Sequence, residues 1–138
     1  MTRAGGRTAA LVATLALALA GCGGGGHEDV KLVLREYINA FADGDGKKVC
    51  SLMTAATRRQ IIERVGVLTG TTDCAKAMEA VRRQAGPDAL HAYRNSKIGD
   101  VEVNGNTAHA NVTGPSGSTP ATLQKVAGEW KVAGGPGS

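Results

Sequence analysis

The sequence predicts an α+β domain, helices first and an antiparallel meander after them. Three observations carry this. Apolar residues recur at helical spacing from Val30 to Ala85, the pattern switches to alternation at Val101, and Asn-Gly and other glycine-containing turns punctuate the alternating half. Each helix then has one apolar stripe and each strand one apolar face. The economical packing lays three N-terminal helices on a curved antiparallel sheet of about four strands, cone-like in outline.

The first helix carries Val30, Val33, Leu34, Tyr37, Ile38 and Phe41 on one stripe, with Asp29 as N-cap and Gly44 as stop. Asp45 caps a second helix from about residue 47. Val49, Cys50 and Met53 face inward there and Leu52 borders them. The stripe weakens from Thr54 to Thr57, which predicts a break, and resumes at Ile61, Ile62 and Val65 with Arg58, Arg59 and Arg64 exposed. Residues 66–72 read as a loop. Asp73 opens a third helix with Cys74, Ala77, Met78, Val81 and Ala85 inward. Gly86-Pro87 ends it, with one further short turn of helix over residues 88–93.

Val101-Glu102-Val103, then Asn104-Gly105, then the alternation of Ala108, Ala110 and Val112 with His109 and Asn111, reads as a tight hairpin. Residues 114–118 form a longer turn, 121–126 a third strand and 130–132 a fourth. No internal repeat divides the chain.

The first 26 residues stand apart from the fold. Arg3 and Arg7 precede an apolar run from Ala9 to Ala20 that Thr14 alone interrupts. A transmembrane helix needs about 20 such residues, so this run has the length of a signal-peptide core. It ends Leu19-Ala20-Gly21-Cys22, which resembles the lipobox of bacterial lipoproteins. That resemblance implies cleavage before Cys22 and a diacylglyceryl group on its thiol. Two acyl chains make a stable anchor. The predicted organisation is a signal peptide over 1–21, the lipidated Cys22 with a glycine-rich tether over 22–27, the domain over 28–133 and a loose tail over 134–138. The location is the extracytoplasmic face of the cell membrane. The abundance of Ala, Gly and Arg fits a high-GC, actinobacterial source.

The 138 residues carry a formal charge of +4, with 42% hydrophobic, 20% charged and 3% aromatic residues. This composition excludes a wholly disordered chain and a large multidomain enzyme. Cleavage removes Arg3 and Arg7 and leaves +2, an ordinary soluble surface rather than a nucleic-acid-binding one.

With Cys22 lipidated, Cys50 and Cys74 remain. Outside the membrane two such thiols are read as a disulfide, with free thiols or thiol chemistry as the alternatives. No histidine motif serves a catalytic cysteine and no ligand spacing makes a zinc site. The run Asp43-Gly44-Asp45-Gly46 lacks the further oxygens of a calcium loop and reads as a capped turn, so no metal and no cofactor are expected. Arg58-Arg59 and Arg82-Arg83 are either solvated faces or a patch for anionic lipid.

The run Tyr37-Ile38-Asn39-Ala40-Phe41-Ala42-Asp43-Gly44-Asp45, the helix with Cys50, the opening Asp73-Cys74, the strand from Val101 and the closing Gly128-Glu129-Trp130-Lys131-Val132 together resemble the nuclear-transport-factor-2-like superfamily, which includes SnoaL-like proteins. Small actinobacterial lipoproteins of this type are similar throughout. The resemblance spans about residues 28–132. It implies a bent sheet around a long first helix, open at one end, where a ligand pocket often lies. The chain lacks an obvious strand between its second and third helices.

Tyr37, Phe41, Met53, Tyr93 and Trp130 are the large side chains that line such a pocket or fill the core. In the superfamily's enzymes the pocket holds an acid or base. Here no catalytic pair is assigned, and His91 with Asp100 is the weak candidate. His27 belongs to the tether and His109 to a solvated strand face. The expected function is non-catalytic binding of a small apolar ligand or of a cell-envelope partner. The alternatives are SnoaL-like proton transfer on a hydrophobic substrate, or a structural accessory domain without a ligand.

Overall fold

In a computed structural model the described residues are 25–135. The leader, Cys22 and residues 136–138 lie outside them. The element order is α1 (Gly25–Asp43), α2 (Gly46–Ser51), α3 (Ala55–Thr69), α4 (Cys74–Arg94), then β1 (Lys97–Asn104), β2 (Thr107–Gly114), β3 (Gly117–Val126) and β4 (Glu129–Gly134). The fold class is α+β, with four helices rather than three. The four strands form an open antiparallel sheet in the order β1-β2-β3-β4.

α1 begins earlier than expected. Gly25, Gly26 and His27 are in the helix and Asp29 is inside it, not at its cap. Glycine has poor helix propensity. Here the first turn packs on the sheet, and a Cβ at Gly26 would meet the Val103 side chain at 3.8 Å. Helix α1 ends where expected, at Gly44 with φ 82°.

The break in the second helix is complete. Asp45 accepts from the Lys48 N–H to cap α2, and Thr54 accepts from the Thr57 N–H to cap α3. Between them the chain runs extended alongside β4. The Val132 N–H donates to the Leu52 carbonyl at 2.7 Å and the Thr54 N–H donates to the Val132 carbonyl at 2.9 Å. This short parallel bridge of Met53 with Val132 sits at the break in the expected second helix, and it covers part of the β4 edge.

α3 continues to Thr69 through Gly66 and stops at Gly70 in the left-handed region, φ 68°. Residue 66 is glycine because a Cβ there would lie 2.6 Å from the Thr71 carbonyl oxygen. α4 is capped by Asp73, whose carboxylate accepts from the Lys76 N–H at 2.9 Å. It kinks at Gly86 (φ 75°, ψ 165°) before Pro87 and then runs on to Arg94, a longer second segment than one turn. Cys50 and Cys74 form a disulfide that joins α2 to the start of α4.

The sheet begins at Lys97 and its turns are tight. Gly105 takes φ 61° and Asn106 does not, the sign pattern of a II′ turn centred on Gly105-Asn106, one residue later than Asn104-Gly105. Pro115-Ser116 joins the paired Gly114 and Gly117, so the longer turn closes to two residues. Ala127 and Gly128 both have positive φ, as a I′ turn requires. Gly134 ends β4, and Gly135 packs against Ala121 rather than trailing as a tail.

One core joins the layers. Val30, Leu34, Tyr37, Ile38 and Phe41 from α1 meet Val49 and Met53, Met78 from α4, and Ala108, Leu123, Trp130 and Val132 from the sheet. Among the described residues no helix is long and apolar enough to cross a membrane.

Candidate functional site

The second segment of α4 is held onto α1 by charge-assisted bonds. Arg35 of α1 donates to the Arg94 carbonyl at 3.2 Å and to the Ser96 carbonyl at 2.9 Å. Arg94 donates to Asp43 at 2.6 Å. The kink at Gly86 swings this segment away from the first, and a groove of about 440 Å³ opens beside it. That volume lies in the range of small-molecule sites, about 300–1,000 Å³. Its wall comes from α4 (Ala89, Leu90, Ala92 and Tyr93), Phe41 at the end of α1, and the β2–β3 turn with Pro115.

The wall is mostly apolar. Phe41 and Tyr93 meet edge to face with ring centroids 5.3 Å apart. Among the described residues it carries no carboxylate, imidazole, ammonium or guanidinium group. Burial pushes the Tyr93 hydroxyl well above the ordinary phenol range, and the neighbouring Tyr37 pushes it the same way. Tyr37 itself is displaced upward by burial, and its hydroxyl has no hydrogen-bond partner among the described residues.

The five large side chains named from the sequence therefore divide. Phe41 and Tyr93 line the groove. Tyr37 and Met53 are in the core, each 1% exposed. Trp130 is also buried, its indole N–H without a partner among the described residues, and it borders a second groove of about 440 Å³ between α1, α2 and the β3–β4 turn. That second groove is charged: Asp29, Glu36, Lys48, Glu129 and Lys131 stand around it, and Lys48 pairs with Glu36 at 2.7 Å.

His91 and Asp100 are both exposed and no hydrogen bond or ion pair joins them among the described residues. The His91 ring lies beside the Asn95 amide on α4, whereas Asp100 shares a shallow groove on the sheet with His109. His27 lies in the first turn of α1 and is exposed.

Asp43 and Asp45 serve as ion-pair partner and helix cap. Two arginines expected at the surface have internal roles. Arg58 donates to the carbonyls of Cys50 and Met53 at 3.2 and 3.0 Å, and Arg82 donates twice to the Ala42 carbonyl. The two arginine pairs thus do not form one basic patch of four.

Of the groove's alanines, Ala85 was expected inward on the third helix, while Ala89 and Ala92, three residues apart on the segment after the Gly86 kink, were not singled out from the sequence.

No curated protein and no solved structure matches the chain. A family model does, over residues 26–134, nearly all of the described fold. The chain belongs to that family, described as "Putative lumazine-binding", within the nuclear-transport-factor-2-like (SnoaL-like) superfamily.

Proposed function

We propose that the chain is a lipid-anchored, extracytoplasmic, non-catalytic protein that binds a small, flat, largely apolar ligand in the groove between α4 and the β2–β3 turn. The observation that carries the binding site is the wall itself: about 440 Å³ walled by Phe41, Tyr93 and a face of alanines. The family's description adds a ligand class, a fused heteroaromatic ring such as a lumazine. A flat ring system suits a slot between aromatic edges and small side chains. The anchoring half rests on Leu19-Ala20-Gly21-Cys22, and the non-catalytic half is supported by a wall without an ionisable acid–base pair.

Calorimetric titration with a lumazine tests the binding site. The chain is expected to bind, and Ala89→Trp, an exposed position on the wall, to weaken binding by about tenfold or more, about 1.4 kcal/mol. Equal affinity in the variant removes the groove from the account, and no binding of lumazines or related heteroaromatics removes the ligand class.

A structural accessory domain is the second reading. Its support is the interior, which Phe41, Met53 and Trp130 fill as parts of one core.

A further inference from the structure

The two ends of the domain are unlike, and the chain ahead of α1 is short. Cys22 and Gly25 are three residues apart, a span of at most about 11 Å in any conformation. A lipid on Cys22 therefore holds the N-terminal end of α1 at the bilayer, without the longer glycine lead that the sequence suggests. This step rests on the lipid-anchor reading above.

The elements beside that end follow from the topology. Gly26 packs on Val103, next to the β1–β2 turn at Gly105-Asn106. In a meander the β1–β2 and β3–β4 turns share one end of the sheet, so Ala127-Gly128 lies there as well. The Lys125 N–H donates to the Asn106 carbonyl at 2.8 Å and ties the β1–β2 turn to the last residues of β3, just ahead of the β3–β4 turn. Both two-residue loops are uncharged, and Val126 beside them is 47% exposed.

The groove lies at the other end. It takes Phe41 from the C-terminal end of α1 and Gly114–Ser116 from the β2–β3 turn. Gly26 and Phe41 are fifteen residues apart on one helix, about 22 Å at 1.5 Å per residue. An eight-residue strand separates the two ends of the sheet by about 26 Å.

We infer that the domain stands end-on at the bilayer, with the β1–β2 and β3–β4 turns as its lipid-facing surface and the groove opening away from the membrane. Its ligand is accordingly a water-borne small molecule, not a lipid drawn from the bilayer beneath it.

The test uses the full chain, extracted with its anchor and reconstituted in phosphatidylcholine vesicles that carry a nitroxide on the headgroup. Tryptophan is added at one exposed turn or the other, as Asn106→Trp or Ser116→Trp. Emission is compared with that of the parent chain, whose single Trp130 is common to all. The Asn106→Trp emission is expected to be largely lost to the nitroxide and the Ser116→Trp emission retained. Val126→Trp and Ser118→Trp provide a second pair at the same two ends should either first variant fail to fold. Equal quenching at both ends in an acylated, vesicle-bound chain overturns the orientation and leaves the anchor standing. A Cys22 found unacylated by mass, in a chain that does not float with vesicles, overturns the anchor and the orientation together.

Discussion

The Arg58 guanidinium donates to two carbonyls at the end of α2, while Arg59, the next residue, is exposed. Hydrogen bonds to a charged donor contribute about 1.5–3 kcal/mol each way they are counted, and surface substitutions change stability by about 0.5 kcal/mol or less. Chemical denaturation should therefore show Arg58→Ala destabilised by about 1.5–3 kcal/mol and Arg59→Ala unchanged. Tyr37 offers the opposite case, since its buried hydroxyl has no partner. Tyr37→Phe removes an unsatisfied group and is expected to leave stability equal or raised by about 1 kcal/mol. It also bears on alkaline unfolding. The native tyrosines at 37 and 93 hold their protons far above the ordinary phenol value, while the unfolded chain loses them near pH 10. Their contribution is thus full below about pH 10 and is lost as the pH rises above it. Denaturation midpoints across that range should fall for the parent chain and fall less steeply for Tyr37→Phe. Ala127, at φ 50°, sits in a conformation that costs a non-glycine residue about 1–2 kcal/mol, and Asn tolerates it better. Ala127→Asn is expected to stabilise by about 0.5–1 kcal/mol in the same assay.

At the scale of elements, the contact of α2 with α4 is close. The Cys50–Cys74 bond crosses it, and a Cβ at Gly46 would lie 2.6 Å from the Ala75 carbonyl oxygen. With the cysteines 24 positions apart, chain-entropy arithmetic assigns the bond about 3 kcal/mol. Reduction should lower the stability by about that amount, and Gly46→Ala, which forces the helices apart, by about 1–3 kcal/mol. The periodic parts of these elements were legible in the sequence: the α1 stripe, the caps Asp45, Thr54 as a break and Asp73, and the alternating strands. What was not legible depended on tertiary partners. Gly26 is helical with Val103 beside it, Gly66 is glycine because the chain doubles back at Thr71, and Met53 bridges to the sheet because Val132 offers it a backbone. The candidate site was half legible for the same reason. Phe41 and Tyr93 stand out as aromatics in a chain with few, but only a short helical turn over 88–93 was legible after Gly86-Pro87, and the direction in which the kink points Ala89 and Ala92 was not.

At the scale of the whole molecule, the four-stranded sheet has a partly covered β4 edge and a β1 edge that carries Lys97, Asp100 and Glu102, charges that discourage edge-to-edge pairing. α1 reaches from the sheet end beside Val103 to the groove at Phe41, so the same helix would set both where the proposed anchor holds the domain and where the groove opens. We have proposed that the domain is anchored through Cys22 and carries a small ligand. Native mass spectrometry of the chain extracted from its own membrane tests both together. The expected mass is that of residues 22–138, less two hydrogens for the disulfide, plus the lipid on Cys22, plus a noncovalently held small molecule that Ala89→Trp no longer retains. A bare, unacylated Cys22, or an acylated chain that carries no added mass and takes up no heteroaromatic ligand when one is supplied, would contradict it.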